Sequence, residues 1–554
     1  MPNSESALLR LQFEYPTALR LAGILVLMAV LYFFAYGFFG IGGNDHGVIQ
    51  ALSWRIYNGE RMYLDFLHIR PPLSPYLHSL AFWLLPEGSQ LLLERLWFYL
   101  LMSASVWFST MSLSLHFDFR KIGIAPEVFG LMAFVLSVHN YPPMPVDTVD
   151  SIFFASAGMF ALAVGGRMRY HILGLWLLLA AALCRQSFYL MPIVGMVYLL
   201  QGQSFKVWSR TIVAGFFPLI VGATLVVLLA PGATQAFFEQ TMGNTRLRDL
   251  VELGVKPYVK PMMFIFLPMV IIWRINALYL WRNFPAAIYW LIFFFVLGMH
   301  VVKGWTKEVY VPPSFGFSQG FFILALAVSI KGFWVQPKGN LLQLSFLLIG
   351  WFAGLSWEYP SPMLFFAPIL FGLVYGLYEE LNFRAPQFFY GFVCILLIWV
   401  FALLNQYPSD EVYLEDMKYH AGEIYPRLEG IQTGEPMYNR LKEYKELTQQ
   451  YGERLHVFPE FPQAHLLNKT RNPLPLEAEL QIIRWRPAMK QRMEQALQSD
   501  VDFILLESGK GVDTTYYGYP WSQHIRTHWH KVEQRDFFTV YQNPASAALL
   551  PPKE

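Results

Sequence analysis

Acidic residues stand at the ends of apolar runs in this chain, where a carboxylate meets both water and anything carried by lipid. Asp45 and His46 directly follow the apolar run 21–40, and Asp65 and Arg70 lie further along the same polar interval. Asp147 and Asp150, in PVDTVDS, precede the run 151–165. A positioned carboxylate can take the proton of an attacking hydroxyl, and basic side chains can receive the charge that develops on a leaving phosphate. Arg185-Gln186 interrupts an apolar stretch. A charge at that depth is costly and marks function by default, although a wet hairpin apex would accept it too. Arg246 and Arg248, in the interval 231–261, belong to a segment long enough to cover a lipid-borne ligand. Lys303, Lys307, Glu308 and Tyr310, in the interval 300–318, offer partners for a phosphate. Glu358 is a sugar contact or simply part of a turn before Pro360.

Each acid also has a plain structural reading. Asp45 can be a solvated residue at a span end, and Asp65 can brace its loop. Of Asp147 and Asp150, one can orient an acceptor or bind a metal while the other caps the next helix, where negative charge is favoured.

The elements that must position these residues are helices in a membrane. The chain of 554 residues is 55% hydrophobic and 17% aromatic, with only 14% charged. Soluble chains carry about 25% charged residues. A helix needs about 20 residues to cross the hydrocarbon core. About thirteen candidate spans fall near 21–40, 91–112, 122–138, 151–165, 170–184, 187–201, 211–230, 262–280, 284–302, 319–334, 341–357, 362–378 and 387–405. With the N-terminus inside, the inner loops collect Arg120, Lys121, Arg167, Arg169, Lys206 and Arg210, whereas the outer loops 139–150 and 358–361 carry no lysine or arginine. Arg185, Lys303 and Lys307 are exceptions to this bias. An odd span count puts the C-terminal tail outside.

The expected fold is therefore an all-α polytopic membrane protein with a small C-terminal α/β extracytoplasmic domain. Residues 1–405 form the transmembrane part, with outer loops 41–90 and 139–150, and residues 406–554 form the tail domain. In loop 41–90 an amphipathic stretch Val48 to Tyr57 ends at Asn58-Gly59, a helix stop, and a second apolar stretch suits the interface. In the tail, RLHVFP (454–459), DFILLE (502–507) and 537–541 read as strands, and 476–499 reads as helix.

The order of features in the first outer loop is an acid after span one, the segment ALSWRIYNGERMYLDF, then PPL and span two. It resembles the C-type superfamily of polytopic membrane glycosyltransferases, in the bacterial branch related to protein mannosyltransferases and lipid A aminoarabinose transferases. The resemblance implies transfer of a sugar from a polyprenyl-phosphate donor to a glycan, glycolipid or protein acceptor, at the outer face of the cell inner membrane. It implies Asp45 as the general base and an acid at Asp147 or Asp150, Asp147 being the better match. It also implies a basic residue followed by Gln at Arg185-Gln186. His46 departs from the second acid that many relatives carry beside the first, and Asp65 and Arg70 stand as substrate contacts or loop scaffold. A divalent cation is left open, and no other cofactor is implied.

Some classes are excluded and others compete. The net charge of +2 gives no polycation for nucleic acid. The chain has no P-loop, G-x-S-x-G, H-E-x-x-H or Cys/His metal spacing. Cys184 and Cys394 both lie in apolar runs and read as core residues, not a disulfide. The competing readings are a lipid-linked substrate transporter or flippase, and a polysaccharide ligase. Transporters place ionisable groups at mid-membrane, whereas the acids here cluster in outer loops.

Overall fold

The computed structural model describes residues 4–41, 47–139, 143–201, 203–241, 315–356, 364–381, 414–459, 461–478, 487–507 and 520–547, with a few single positions and residues 390–393 besides. Asp45, His46, Arg246, Arg248, Lys303, Lys307, Glu308, Tyr310 and Glu358 lie outside the described residues, as do spans 262–280 and 284–302.

The chain is a helical membrane protein with a small α/β domain at its C-terminal end. Among the described residues, four helical segments are long and apolar enough to cross a membrane: Tyr15–Gly37, Glu87–Ser114, Asp147–Val164 and Phe205–Leu229. The first belongs to α1 (Ser4–Tyr32) and the π-turn Phe33–Gly37 that extends it; the others are α4 (Gln90–Ser114, with a short turn before it), α7 (Asp147–Val164) and α10 (Phe205–Leu229). Helix α7 sits in the middle of the bundle, packed on α4 and on α8 (Met168–Cys184). Helix α10 leaves Phe217, Leu228 and Leu229 exposed. Such an exposed apolar face suits contact with lipid. Helices α6 (Pro126–Val138) and α9 (Met191–Leu200) are shorter than the spans expected there. At ten residues α9 is about 15 Å long, half the hydrocarbon thickness.

Helices α7 and α8 form a close antiparallel pair, and small residues make it so. A Cβ added to Gly158 would lie 2.9 Å from the carbonyl oxygen of Gly174, and one added to Gly174 would lie 2.9 Å from that of Gly158. Only glycine at both positions lets the backbones come so near. Ser151 Oγ donates to the carbonyl of Ala181 at 3.0 Å in the same register. That register sets the N-terminus of α7 against the C-terminus of α8, so Asp147 faces Arg185.

The interval 41–90 between the first two spans carries two short helices, α2 (Val48–Tyr57) and α3 (Leu73–Leu84). Helix α2 ends as the sequence predicts: Gly59 adopts φ 83°, where a side chain would be strained. In the tail, β3 (Leu455–Phe458), β4 (Phe503–Glu507), β5 (His530–Gln534) and β6 (Phe538–Gln542) form a sheet of order β3-β4-β6-β5, parallel between β3 and β4 and antiparallel elsewhere. The three predicted strands are present. The fourth, β5, is a polar edge strand with no apolar alternation to betray it. A 17-residue helix, Glu435–Tyr451, packs Leu441, Tyr444 and Leu447 into the tail core. The helix predicted over 476–499 is seen over Pro487–Ser499; residues 476–478 are not helical, and 479–486 lie outside the described residues.

The tail docks on this first loop through buried charge. Arg55 of α2 donates to Glu60 at 2.7 and 2.9 Å, to Glu477 at 2.9 Å and to the carbonyl of Leu474 at 2.9 Å. All three charged side chains are nearly inaccessible. Burial raises the Glu477 carboxyl above its ordinary value against the pull of Arg55. A buried ion pair fixes geometry more surely than it adds stability, and losing one partner is costly.

Candidate functional site at one end of the bundle

Two carboxylates on the first turn of α7 organise the site. Asp147 and Asp150 are both buried. Neither caps the helix, contrary to the expectation that one would: both side chains bond outward to other segments.

Asp147 is held by two arginines. Arg185 Nη1 donates to one oxygen at 2.6 Å, and Arg70 Nη1 donates to the other at 3.2 Å. Arg185 is buried, so the hairpin apex between α8 and α9 is not the wet turn that would accommodate it cheaply. The arginine, the acid and the loop cation come from three separate segments. Both oxygens of Asp147 are occupied by guanidinium groups, which does not suit a divalent cation there. Gln186 follows in a single 3-10 turn, and its Oε1 is buried with no hydrogen-bond partner among the described residues.

Asp150 starts a different chain of contacts. Its Oδ2 accepts from Ser74 Oγ and lies 3.2 Å from His78 Nε2. Ser74 and His78 are four residues apart on α3 and share one face. The other ring nitrogen of His78 lies 3.4 Å from Glu94 Oε1 of α4. Glu94 Oε2 accepts from Gln50 Nε2 of α2 at 2.8 Å, and Gln50 Oε1 accepts from Gln463 Nε2 of the tail at 2.6 Å. Burial pulls His78 toward the neutral form, but Asp150 and Glu94 on either side outweigh it and raise it to about 10. An imidazolium thus links two buried carboxylates, and the line of polar contacts runs from α7 to the tail domain.

The loop that brings Arg70 in is firmly held. Tyr63 adopts φ 68°, in the left-handed region that disfavours a bulky side chain. Its hydroxyl donates to the carbonyl of Arg70 at 2.7 Å. Its own carbonyl accepts from Gln240 Nε2 at 2.8 Å and from Arg492 Nη1 at 3.3 Å. Gln240 Oε1 in turn accepts from the His68 backbone at 2.9 Å. The His68 ring is buried, and desolvation, helped by Arg70, lowers it to about 3. It is a neutral imidazole beside the arginine cluster.

Of the residues singled out in the sequence, Asp147, Arg70 and Arg185 are brought into direct contact, with Gln186 next to them and Asp150 one turn along. Asp65 is not among them. It pairs with Arg61 four residues earlier, at 2.9 Å, and accepts from the Arg61 backbone at 2.7 Å. That bond to Arg61 lowers its carboxyl below the ordinary value, and the contacts are those of a loop brace. Asp45 and His46 are outside the described residues, but the chain leading to them is fixed: Arg95 of α4 donates to the carbonyls of Gly37 at 2.8 Å, Phe39 at 3.1 Å and Gly40 at 2.5 Å. Sequence reasoning missed His68, Ser74, His78, Glu94 and Gln50. The shared face of Ser74 and His78, and the Glu94-Arg95 pair inside a span, were the available signals. Among the described residues no three His, Cys, Asp or Glu side chains gather as metal ligands, and Cys184 is a buried free thiol.

No protein-family model matches the chain, and no curated protein matches it. Among solved structures it is similar to ArnT from Cupriavidus metallidurans in the apo state, with 13% identity and a TM-score of 0.44 over 96% of this chain and 99% of that one.

Proposed function

We propose that this protein is a membrane glycosyltransferase that moves a sugar from a polyprenyl-phosphate donor to an extracytoplasmic acceptor. The observation that carries the reading is the convergence of Arg70 and Arg185 on Asp147 at the end of α7. A carboxylate that fixes two guanidinium groups presents them as a rigid, preorganised receptor for phosphate oxygens. The resemblance of the first outer loop to C-type glycosyltransferases implies the same chemistry.

In the proposed step the acceptor hydroxyl oxygen attacks the anomeric carbon, and the bond from that carbon to the phosphate oxygen breaks. The lipid phosphate leaves with the electron pair, received by Arg185 and Arg70. Asp45 takes the hydroxyl proton, and the single displacement inverts the anomeric centre. Asp147 is then a positioning residue for the arginines, and Asp150, through Ser74 and His78, positions the loop opposite.

The test is incubation of the purified protein with a panel of radiolabelled polyprenyl-phosphate sugars and membrane extract, followed by separation of products from donor. Movement of label from one lipid-phosphate sugar to an acceptor supports the reading. Donor carried intact across proteoliposomes without bond cleavage contradicts it and points to a transporter. Asp45→Asn should cut turnover by about a hundredfold or more, the scale for losing a general base. Near-normal transfer by Asp45→Ala would remove that residue from the role.

A further inference from the structure

The other end of the bundle carries positive charge that no acid answers. Arg167 is the N-cap of α8, and His171 lies one turn further on. His171 is about 20 Å along α8 from Arg185, so this end is remote from the Asp147 cluster. Lys338 stands in the first turn of the helix Pro337–Ser356. It lies near enough to His171 for its charge to act on the ring. Its ammonium is also 5.7 Å from the centre of the Tyr198 ring of α9. The Tyr198 hydroxyl is 3.0 Å from Nε2 of His116, just beyond α4. Two cations from separate segments thus flank one imidazole.

Among the described residues neither Lys338 nor Arg167 forms an ion pair. The acids of this end are engaged elsewhere. Glu127 pairs with Arg20 at 2.9 Å, Asp118 with Lys121 at 3.9 Å, and Glu379 bonds the Tyr375 hydroxyl. Lys338 is partly buried, and no carboxylate acts on it. A partly buried ammonium without a counter-charge is costly, and an anion from outside the chain lowers that cost.

The surroundings select the kind of anion. Trp334 and Val335, directly before the helix of Lys338, are 84% and 88% exposed. Phe205, at the start of α10, stacks on Trp208 and is 71% exposed. Open aromatic and apolar side chains at the end of membrane helices suit the boundary between headgroups and acyl chains. A soluble anion would use the charge and leave the apolar rim bare. An anionic phospholipid uses both, its phosphate meeting the cations and its glycerol and first methylenes meeting the rim.

We propose that Lys338 and Arg167, with His171 between them, hold the headgroup phosphate of an anionic phospholipid at this end of the bundle. The proposal does not rest on the transferase reading. Both helices run on to the Asp147 site: α8 ends beside Arg185, and Phe352 of the other helix packs on Phe188 with ring centres 5.9 Å apart. Lipid bound at one end therefore ties together the two helices that flank Arg185 at the other.

Native mass spectrometry of the full-length protein in detergent tests this, with phosphatidylglycerol, phosphatidylcholine and glycerol 3-phosphate as probes. Phosphatidylglycerol should bind at least about tenfold more tightly than phosphatidylcholine. Lys338→Gln should lower its affinity by about tenfold, the scale of one charge-assisted contact. Arg167→Gln should lower it by about fivefold or more; that side chain is exposed, so this variant decides the matter should Lys338→Gln not fold. Lys206→Gln removes another exposed charge of the same end and should change affinity by less than about threefold. Equal affinity for phosphatidylcholine, or unchanged affinity in a folded Lys338→Gln or in Arg167→Gln, overturns the proposal. An equal loss in Lys206→Gln overturns it too, since binding would then be a general attraction to a basic surface. Glycerol 3-phosphate bound as tightly as phosphatidylglycerol would remove the lipid from the site.

Discussion

The two arginine-bearing regions of this protein solve opposite problems. At the end of α7, Arg70 and Arg185 are locked onto Asp147 in a buried cluster, and every member comes from a different segment. In the cavity under the tail domain, Arg471 is open to solvent, and Arg492 donates to the carbonyls of Tyr63 and Leu64 with Asp65 acting on its charge. A reacting phosphate needs rigid, preoriented donors in a place that excludes water, because electrostatic contacts gain strength there and cost no reorganisation. Burial therefore sets the cluster suited to chemistry apart from the open, solvent-facing cavity.

That contrast can be broken in stages, from the largest effect to the smallest. Removing the charge that docks α2 on the tail domain should do most damage: Arg55→Ala leaves Glu477 buried without its cation and Glu60 with only the exposed Arg471, and should cost about 3–5 kcal/mol. Thermal inactivation in detergent would register this as a large drop in midpoint. Next, Asp147→Asn or Arg185→Ala should lower transfer by about a hundredfold, with a smaller loss for Asp150→Asn. Donor kinetics on purified variants would check the order. The reverse order would make the Asp150–His78–Glu94 line, and not the arginine cluster, the centre of the site.

A pH effect comes third. His78 is raised from its ordinary 6.5 to about 10 in the folded protein, so its charged contacts stabilise fully below 6.5 and are lost as pH rises through about 10. The thermal midpoint of the wild type should decline across that window, and His78→Gln should flatten the decline. The smallest effect belongs to Asp65. Its partner Arg61 is a surface residue of the same turn, and Asp65→Asn should change transfer by less than about twofold, since such pairs contribute little.

What the sequence revealed follows from the cost of charge in apolar surroundings. Arg185 and Asp147 stood out because a charge inside or beside a span demands a partner, and each proved to be the other's. Helix α2 was legible to its last residue because an amphipathic stretch ended in Asn-Gly. The Arg55–Glu477 pair was not legible, since its members are 422 residues apart and only the folded chain brings them together. His78 escaped notice because α3 reads as an apolar interfacial stretch, and a single histidine within it signals nothing until Asp150 and Glu94 flank it. Asp65, the loop acid with a prominent place in the sequence, is occupied by its neighbour Arg61.

The account rests on lipid phosphate reaching the end of α7. Photocrosslinking with a diazirine-bearing polyprenyl phosphate, followed by peptide mapping, tests this most directly. Label should appear in the peptides that hold Arg70, Asp147 and Arg185, and should fall sharply in Arg185→Ala. Label confined to the tail domain or to the lipid-facing side of α10, and unchanged in Arg185→Ala, would contradict it.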